Sequence, residues 1–91
     1  MPERTAVVAS KVGLHARPAA VFVKAAAEAA VPITIRKKDG AAVNAASILS
    51  IMTLGVSCGD EVVLAAEGDG ADAALDALTT LLEQDLDAPG S

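Results

Sequence analysis

The sequence predicts a two-layer α/β sandwich in which one sheet carries every helix on a single face. The order is strand, helix, strand, hairpin strand, short helix, strand, helix. Three observations lead there. Short β-branched runs alternate with Ala-rich stretches of helical spacing, an Asp39-Gly40 pair separates two extended runs, and 91 residues leave no room for a second core.

Residues Arg4 to Ala9 (RTAVVA) are β-branched and closed by a polar turn around Lys11 and Gly13, which predicts a strand. From Ala16 through Glu28 the spacing becomes helical: Ala19, Phe22, Val23 and Ala26 form an apolar stripe, while Arg17, Lys24 and Glu28 stay polar. Pro32 ends that helix upstream of itself. Ile33-Thr34-Ile35-Arg36 alternates at period two, and Asp39-Gly40 turns the chain into a short strand from Ala41 to Val43. Ser47 caps a helix of about two turns over ILSIMTL, and Gly55 stops it, because glycine tolerates the left-handed exit. Glu61 to Ala66 has the composition of a buried strand. Asp69-Gly70-Ala71-Asp72 opens the last helix, whose stripe of Ala71, Leu75, Leu78 and Leu82 faces the sheet. Residues 1–88 are expected to form one domain and 89–91 a disordered tail.

Composition excludes several classes. A single Cys rules out an intrachain disulfide, and one Cys with one His cannot complete a structural zinc site. No metal and no cofactor is expected. The uncharged run from Gly40 to Gly59 contains Asn44, Ser47, Ser50, Thr53 and Ser57, a poor lipid-facing segment, so no membrane insertion is expected. MPERTAVVAS has charges where a signal peptide needs an apolar region, and the expected location is the cytoplasm. The net charge is −5, yet all seven basic residues lie within the first 38 positions, a local positive field near the first helix. Nucleic acid is disfavoured by the acidic total and by Phe22 being the sole aromatic.

The one His stands in Gly13-Leu14-His15-Ala16-Arg17-Pro18, at the junction of the first strand and helix. The first-turn N–H groups of a helix lack intrahelical partners and bind anions, so the backbone of Ala16 and Arg17 suits a phosphoryl group. The same positive helix end disfavours an imidazolium, which keeps His15 neutral and nucleophilic. Arg17 and Lys24 add cationic charge, and Pro18 falls where a missing N–H costs nothing. Spacing alone leaves two alternatives open: a phosphoryl-accepting His, or an incidental His in a polar turn beside an ordinary exposed Arg.

GLHARPAA resembles the active-site motif of HPr, the family of histidine-containing phosphocarriers of the bacterial phosphoenolpyruvate-dependent sugar phosphotransferase system. A second stretch, VNAASILSIMTLGVSCGDEV, resembles the family's regulatory-serine segment. The likeness runs from about Arg4 to Leu82. It implies an open-faced sandwich, βαββαβα, with a four-stranded antiparallel sheet covered on one face by three helices.

Carried over, the resemblance implies that His15 takes a phosphoryl group on Nδ1 from phosphorylated enzyme I and passes it to the IIA domains of sugar permeases. Arg17 would stabilise the group in transit, and Ser47 matches the serine that a dedicated kinase modifies in some bacteria. Transcriptional regulators are further implied partners, and the chain is expected to be a monomer without independent turnover. Ile48, Leu49, Ile51 and Met52 exceed what a two-turn helix can bury, so Ile51 and Leu54 are expected in the core, and Ile48, Leu49 and Met52, with Ala20 and Lys24, are expected to dock partners. Ser47 serves a helix cap in any case. Two departures from the family pattern stand out: Val12 stands before Gly13, where the family often has a polar residue, and Ala46 precedes Ser47, where many kinase-regulated members carry Lys.

Three other functions fit parts of this pattern. A carrier in a regulatory, nitrogen-type phosphotransfer chain shares the histidine motif and differs in its acceptor. A binding module acting through Ser47 and the apolar patch would survive loss of His15. A His-nucleophile phosphatase would need a leaving-group acid, and none accompanies His15.

Overall fold

The computed structural model describes residues 3–9, 16–29 and 31–83, with only the backbone of 16–18. Its elements are β1 (Glu3–Val7), α1 (Ala16–Ala27), β2 (Ile33–Lys37), β3 (Val43–Asn44), α2 (Ile48–Leu54), β4 (Glu61–Ala66) and α3 (Ala71–Leu82). The four strands form one antiparallel sheet in the order β1-β4-β2-β3, and the helices cover one face, an open-faced sandwich.

Alternation decides which side of each strand faces the helices. Ala6 and Val8, Ile33 and Ile35, and Val62, Leu64 and Ala66 are buried, whereas Thr5, Val7 and Thr34 lie on the open face. From the helices come Ala19, Phe22 and Ala26 of α1, Ile51 of α2, and Ala71, Leu75, Leu78 and Leu82 of α3. Phe22 is fully buried and contributes about 1.5–3 kcal/mol by leaving water. Val23 and Leu54 are only half-buried against this core rather than part of it, because each sits at the flank of its helix's inward stripe.

The first helix ends one residue early, at Ala27, and two strands differ more clearly from the sequence expectation. The first strand spans Glu3–Val7; Val8 and Ala9 continue it with hydrogen bonds to a loop and to α3 instead of to a strand. The hairpin strand comprises Val43–Asn44, not Ala41 to Val43. Ile35 pairs with Val43, one residue out of step from a two-residue Asp39-Gly40 turn, which would have paired Arg36 with Val43. The observed register puts Val43 on the same side as buried Ile35, against the core, whereas the shorter turn would have sent it to the open face. Ala41 and Ala42 remain exposed in the resulting loop.

Long-range polar contacts tie the layers together. Arg4, on the helix-facing side of β1, reaches α3, with Nε 2.9 Å from Asp76 Oδ1 and one guanidinium NH2 group 3.2 Å from Asp72 Oδ1. Among the described residues no helix is long and apolar enough to cross a membrane. The expected tail, 89–91, lies outside the described residues.

Candidate functional site

Helix α1 begins at Ala16, so the chain places His15 immediately before a helix N-terminus. His15 itself and Val12 lie outside the described residues, as do the side chains of Ala16, Arg17 and Pro18. The backbone of Ala16 and Arg17 occupies the first turn, where amides have no intrahelical acceptor, and Pro18, third in the helix, forfeits no helical bond there. No acidic residue stands in that first turn, which keeps its dipole uncompensated and favourable to an anion.

Further along α1, Ala20 and Lys24 are one turn apart on the exposed side of the helix. Helix α2 packs against α1 and carries Ile48, Leu49 and Met52, which are 39%, 74% and 44% exposed, while Ile51 between them is fully buried. A seven-residue helix that buries Ile51 and packs Leu54 against the core leaves Ile48, Leu49 and Met52 at the surface. The structure therefore puts the expected docking residues on the exposed sides of two helices in mutual contact.

Ser47 is the N-cap of α2. Its backbone is extended (φ −108°, ψ 115°), its hydroxyl accepts the Ser50 N–H at 3.3 Å, and its carbonyl accepts the Ile51 N–H at 3.0 Å. At the other end Gly55 takes the left-handed conformation (φ 66°) and its N–H reaches the Met52 carbonyl. Ser47 is half-buried, and Ala46 donates its N–H to the Asn44 side chain at 2.9 Å.

A third group of residues escaped the sequence expectation. The turn formed by residues 57–60 lies against the end of β1, where its residues bond to Val8 and Ala9, the last described positions before His15. Asp60 accepts the Ser57 N–H at 2.9 Å, and Lys37 Nζ stands 3.5 Å from the same carboxylate oxygen. The Ser57 N–H holds the Asp60 carboxyl below its ordinary value, against partial desolvation, with Lys37 adding attraction. The Ser57-x-x-Asp60 spacing is a local turn signal; the pairing with Lys37 is not local at all. A cleft of about 550 Å³ opens beside it, lined by Lys37, Lys38, Asp39, Gly40, Gly59, Asp60 and Glu61. Among the described residues, no group of three or more His, Cys, Asp or Glu could hold a metal ion.

With this geometry in place, comparison with known proteins is decisive. Residues 2–84 match the family model described as the phosphotransferase system HPr component phosphorylation site. The chain belongs to the HPr family. It is 49% identical over 87 residues to the phosphocarrier protein HPr of Streptomyces coelicolor, covering 96% of this chain and 94% of that protein. It is also 40% identical over 86 residues to the HPr-like protein Crh of Bacillus subtilis, covering 94% of this chain and all of Crh. The crystal structure of HPr from Bacillus anthracis superposes with a TM-score of 0.84 at 41% identity, over 89% of this chain and 95% of that one. As an HPr-family member the chain is a phosphocarrier and not a catalytic enzyme.

Proposed function

We propose that this HPr-family chain carries phosphoryl groups in the sugar phosphotransferase system, as a monomer in the cytoplasm, with residues 1–88 as the carrier domain. Phosphorylated enzyme I donates to His15, and the IIA domains of sugar permeases accept from it. The Nδ1 lone pair of neutral His15 attacks phosphorus in line. The Nδ1–phosphorus bond forms as the bond to the donor breaks, and the Nε2 proton stays in place. Arg17 and the Ala16 and Arg17 amides neutralise the phosphoryl oxygens, and the second transfer reverses these roles toward the acceptor. Ala20 and Lys24 of α1 with Ile48, Leu49 and Met52 of α2 provide the docking surface.

The observation that carries this reading is the pairing of two features: a helix N-terminus directly after His15, and an exposed apolar group on the helix packed beside it. Isolated large apolar side chains on a surface are ordinary, but three on a seven-residue helix next to a phosphorylation motif suit a transient protein contact. Incubation with phosphoenolpyruvate and enzyme I tests it directly. An acid-labile, base-stable phosphate on His15 is the expected product, and an unlabelled protein refutes the reading.

The 40% identity to an HPr-like Crh protein favours a second reading, in which the chain is a regulatory module that acts through Ser47, recognised by a serine kinase and by transcriptional regulators. Function that persists after His15→Ala would select it. A nitrogen-type phosphotransfer branch differs only in the acceptor that removes phosphate from His15.

A further inference from the structure

The six residues 10–15 are bounded by Ala9 on one side and by Ala16, the start of α1, on the other. The Ala9 side is held from distant parts of the chain. Val8 donates its N–H to the Asp60 carbonyl at 3.0 Å and accepts the Gly59 N–H at 2.8 Å, and the Cys58 thiol donates to the Ala9 carbonyl at 3.8 Å. Ala9 donates its own N–H to the carbonyl of Leu82, the last residue of α3, at 3.0 Å. All but the last of these bonds come from the turn at 57–60.

That turn has its own lock. The Asp60 N–H donates to the Ser57 carbonyl at 3.0 Å, and the Asp60 carboxylate accepts the Ser57 N–H at 2.9 Å. Backbone and side chain of one residue thus close the turn from both sides. Lys37 Nζ, 3.5 Å from the carboxylate, ties it to the end of β2. Gly59 sits inside the closed turn at φ 90°, a conformation open to glycine, and aims its N–H at Val8.

We propose that Asp60 is a positioning residue for phosphoryl transfer: by closing the turn at 57–60 it fixes Val8 and Ala9, and with them the end of the segment that carries His15. The inference rests on His15 being the phosphoryl acceptor. Asp60 lies at the surface, where water can replace its bond to Ser57, so its removal alters geometry more than it alters stability. In-line transfer is sensitive to geometry, and a displacement of about 1 Å from a remote substitution can cost about a hundredfold in rate.

The test compares wild type, Asp60→Ala and Asp60→Asn as acceptors from phosphorylated enzyme I, with thermal unfolding as the check on folding. Asp60→Ala is expected to lower kcat about tenfold with KM within about twofold, since the docking surface on α1 and α2 is untouched. Asp60→Asn keeps an oxygen for the Ser57 N–H and is expected to recover to within about threefold of wild type. Faster amide hydrogen exchange at Ser57 and Gly59 in the Ala variant, but not in the Asn variant, is the accompanying signature. An Ala variant with wild-type kcat overturns the proposal, as does equal loss in both variants. Loss of the unfolding transition in Asp60→Ala would make the residue structural and overturn it too. Wild-type protein that takes no phosphate from enzyme I refutes the carrier reading and the proposal together, whereas labelled wild type with an indifferent Ala variant overturns the positioning role alone.

Discussion

The Ser47 hydroxyl accepts the backbone N–H of Ser50, so the residue that matches a kinase target also holds the first turn of the helix bearing Leu49 and Met52. The two roles separate by substitution. Ser47→Ala removes the cap and is expected to cost about 1 kcal/mol in chemical denaturation. Ser47→Asp retains a capping oxygen and adds a charge favoured at a helix N-terminus, so stability is expected to hold or rise slightly. Its charge, or that of a phosphate, stands beside Ile48 and opposes an apolar or acidic partner, and phosphoryl acceptance is expected to fall. Acceptance at the wild-type rate by a folded Ser47→Asp protein would leave Ser47 a cap only.

His15→Ala is expected to abolish phosphoryl labelling with an unchanged unfolding curve, since a residue between a strand and a helix start contributes little to a core made by the sheet and helix faces. Arg17→Lys is expected to slow transfer less than Arg17→Ala, because a point charge retains attraction while losing the planar fork that grips two oxygens. Rapid-quench labelling from phosphorylated enzyme I measures both.

Two positions of α2 separated by one residue are expected to respond in opposite ways. Leu49→Asp, at 74% exposure, is expected to weaken binding of enzyme I severalfold with little change in stability, since the introduced charge meets water in the free protein and an apolar contact in the complex. Ile51→Ala, at a fully buried position, is expected to destabilise the fold by about 2–5 kcal/mol. Calorimetric titration and denaturant unfolding distinguish the two. Unfolding of Leu49→Asp would count against a docking role at that position.

The turn at 57–60 predicts a pH response of defined sign. The Ser57 N–H, with help from Lys37, depresses the Asp60 carboxyl below its ordinary 3.8 in the folded protein. Its stabilising contribution is therefore complete above that value and disappears as pH falls through the lower folded pKa. The amide resonance of Ser57 is expected to titrate with a midpoint below 3.8, and a midpoint at or above it would mean that the hydrogen bond is absent in solution.

Much of the architecture was legible in the chain because it follows from short-range chemistry. Period-two alternation in Ile33-Thr34-Ile35, the stripe of Leu75, Leu78 and Leu82, and the Ser47 and Gly55 caps each act within one or two turns of backbone, and each is found in place. The candidates His15 and Arg17 come from a contiguous motif in the sequence, and the excess of apolar residues in α2 anticipated the exposure of Leu49.

Tertiary structure alone decided the relationships that span the chain. The register of Ile35 with Val43 was set by which face of the hairpin could be buried, overriding the turn favoured by Asp39-Gly40. Arg4 found Asp72 and Asp76 only because α3 lies across β1, and Lys37 found Asp60 only because β2 and β4 are neighbours in the sheet. The physical reason is common to all of them: local propensity acts over a few bonds, whereas register, layer packing and ion-pair partners are selected by burial of one shared core.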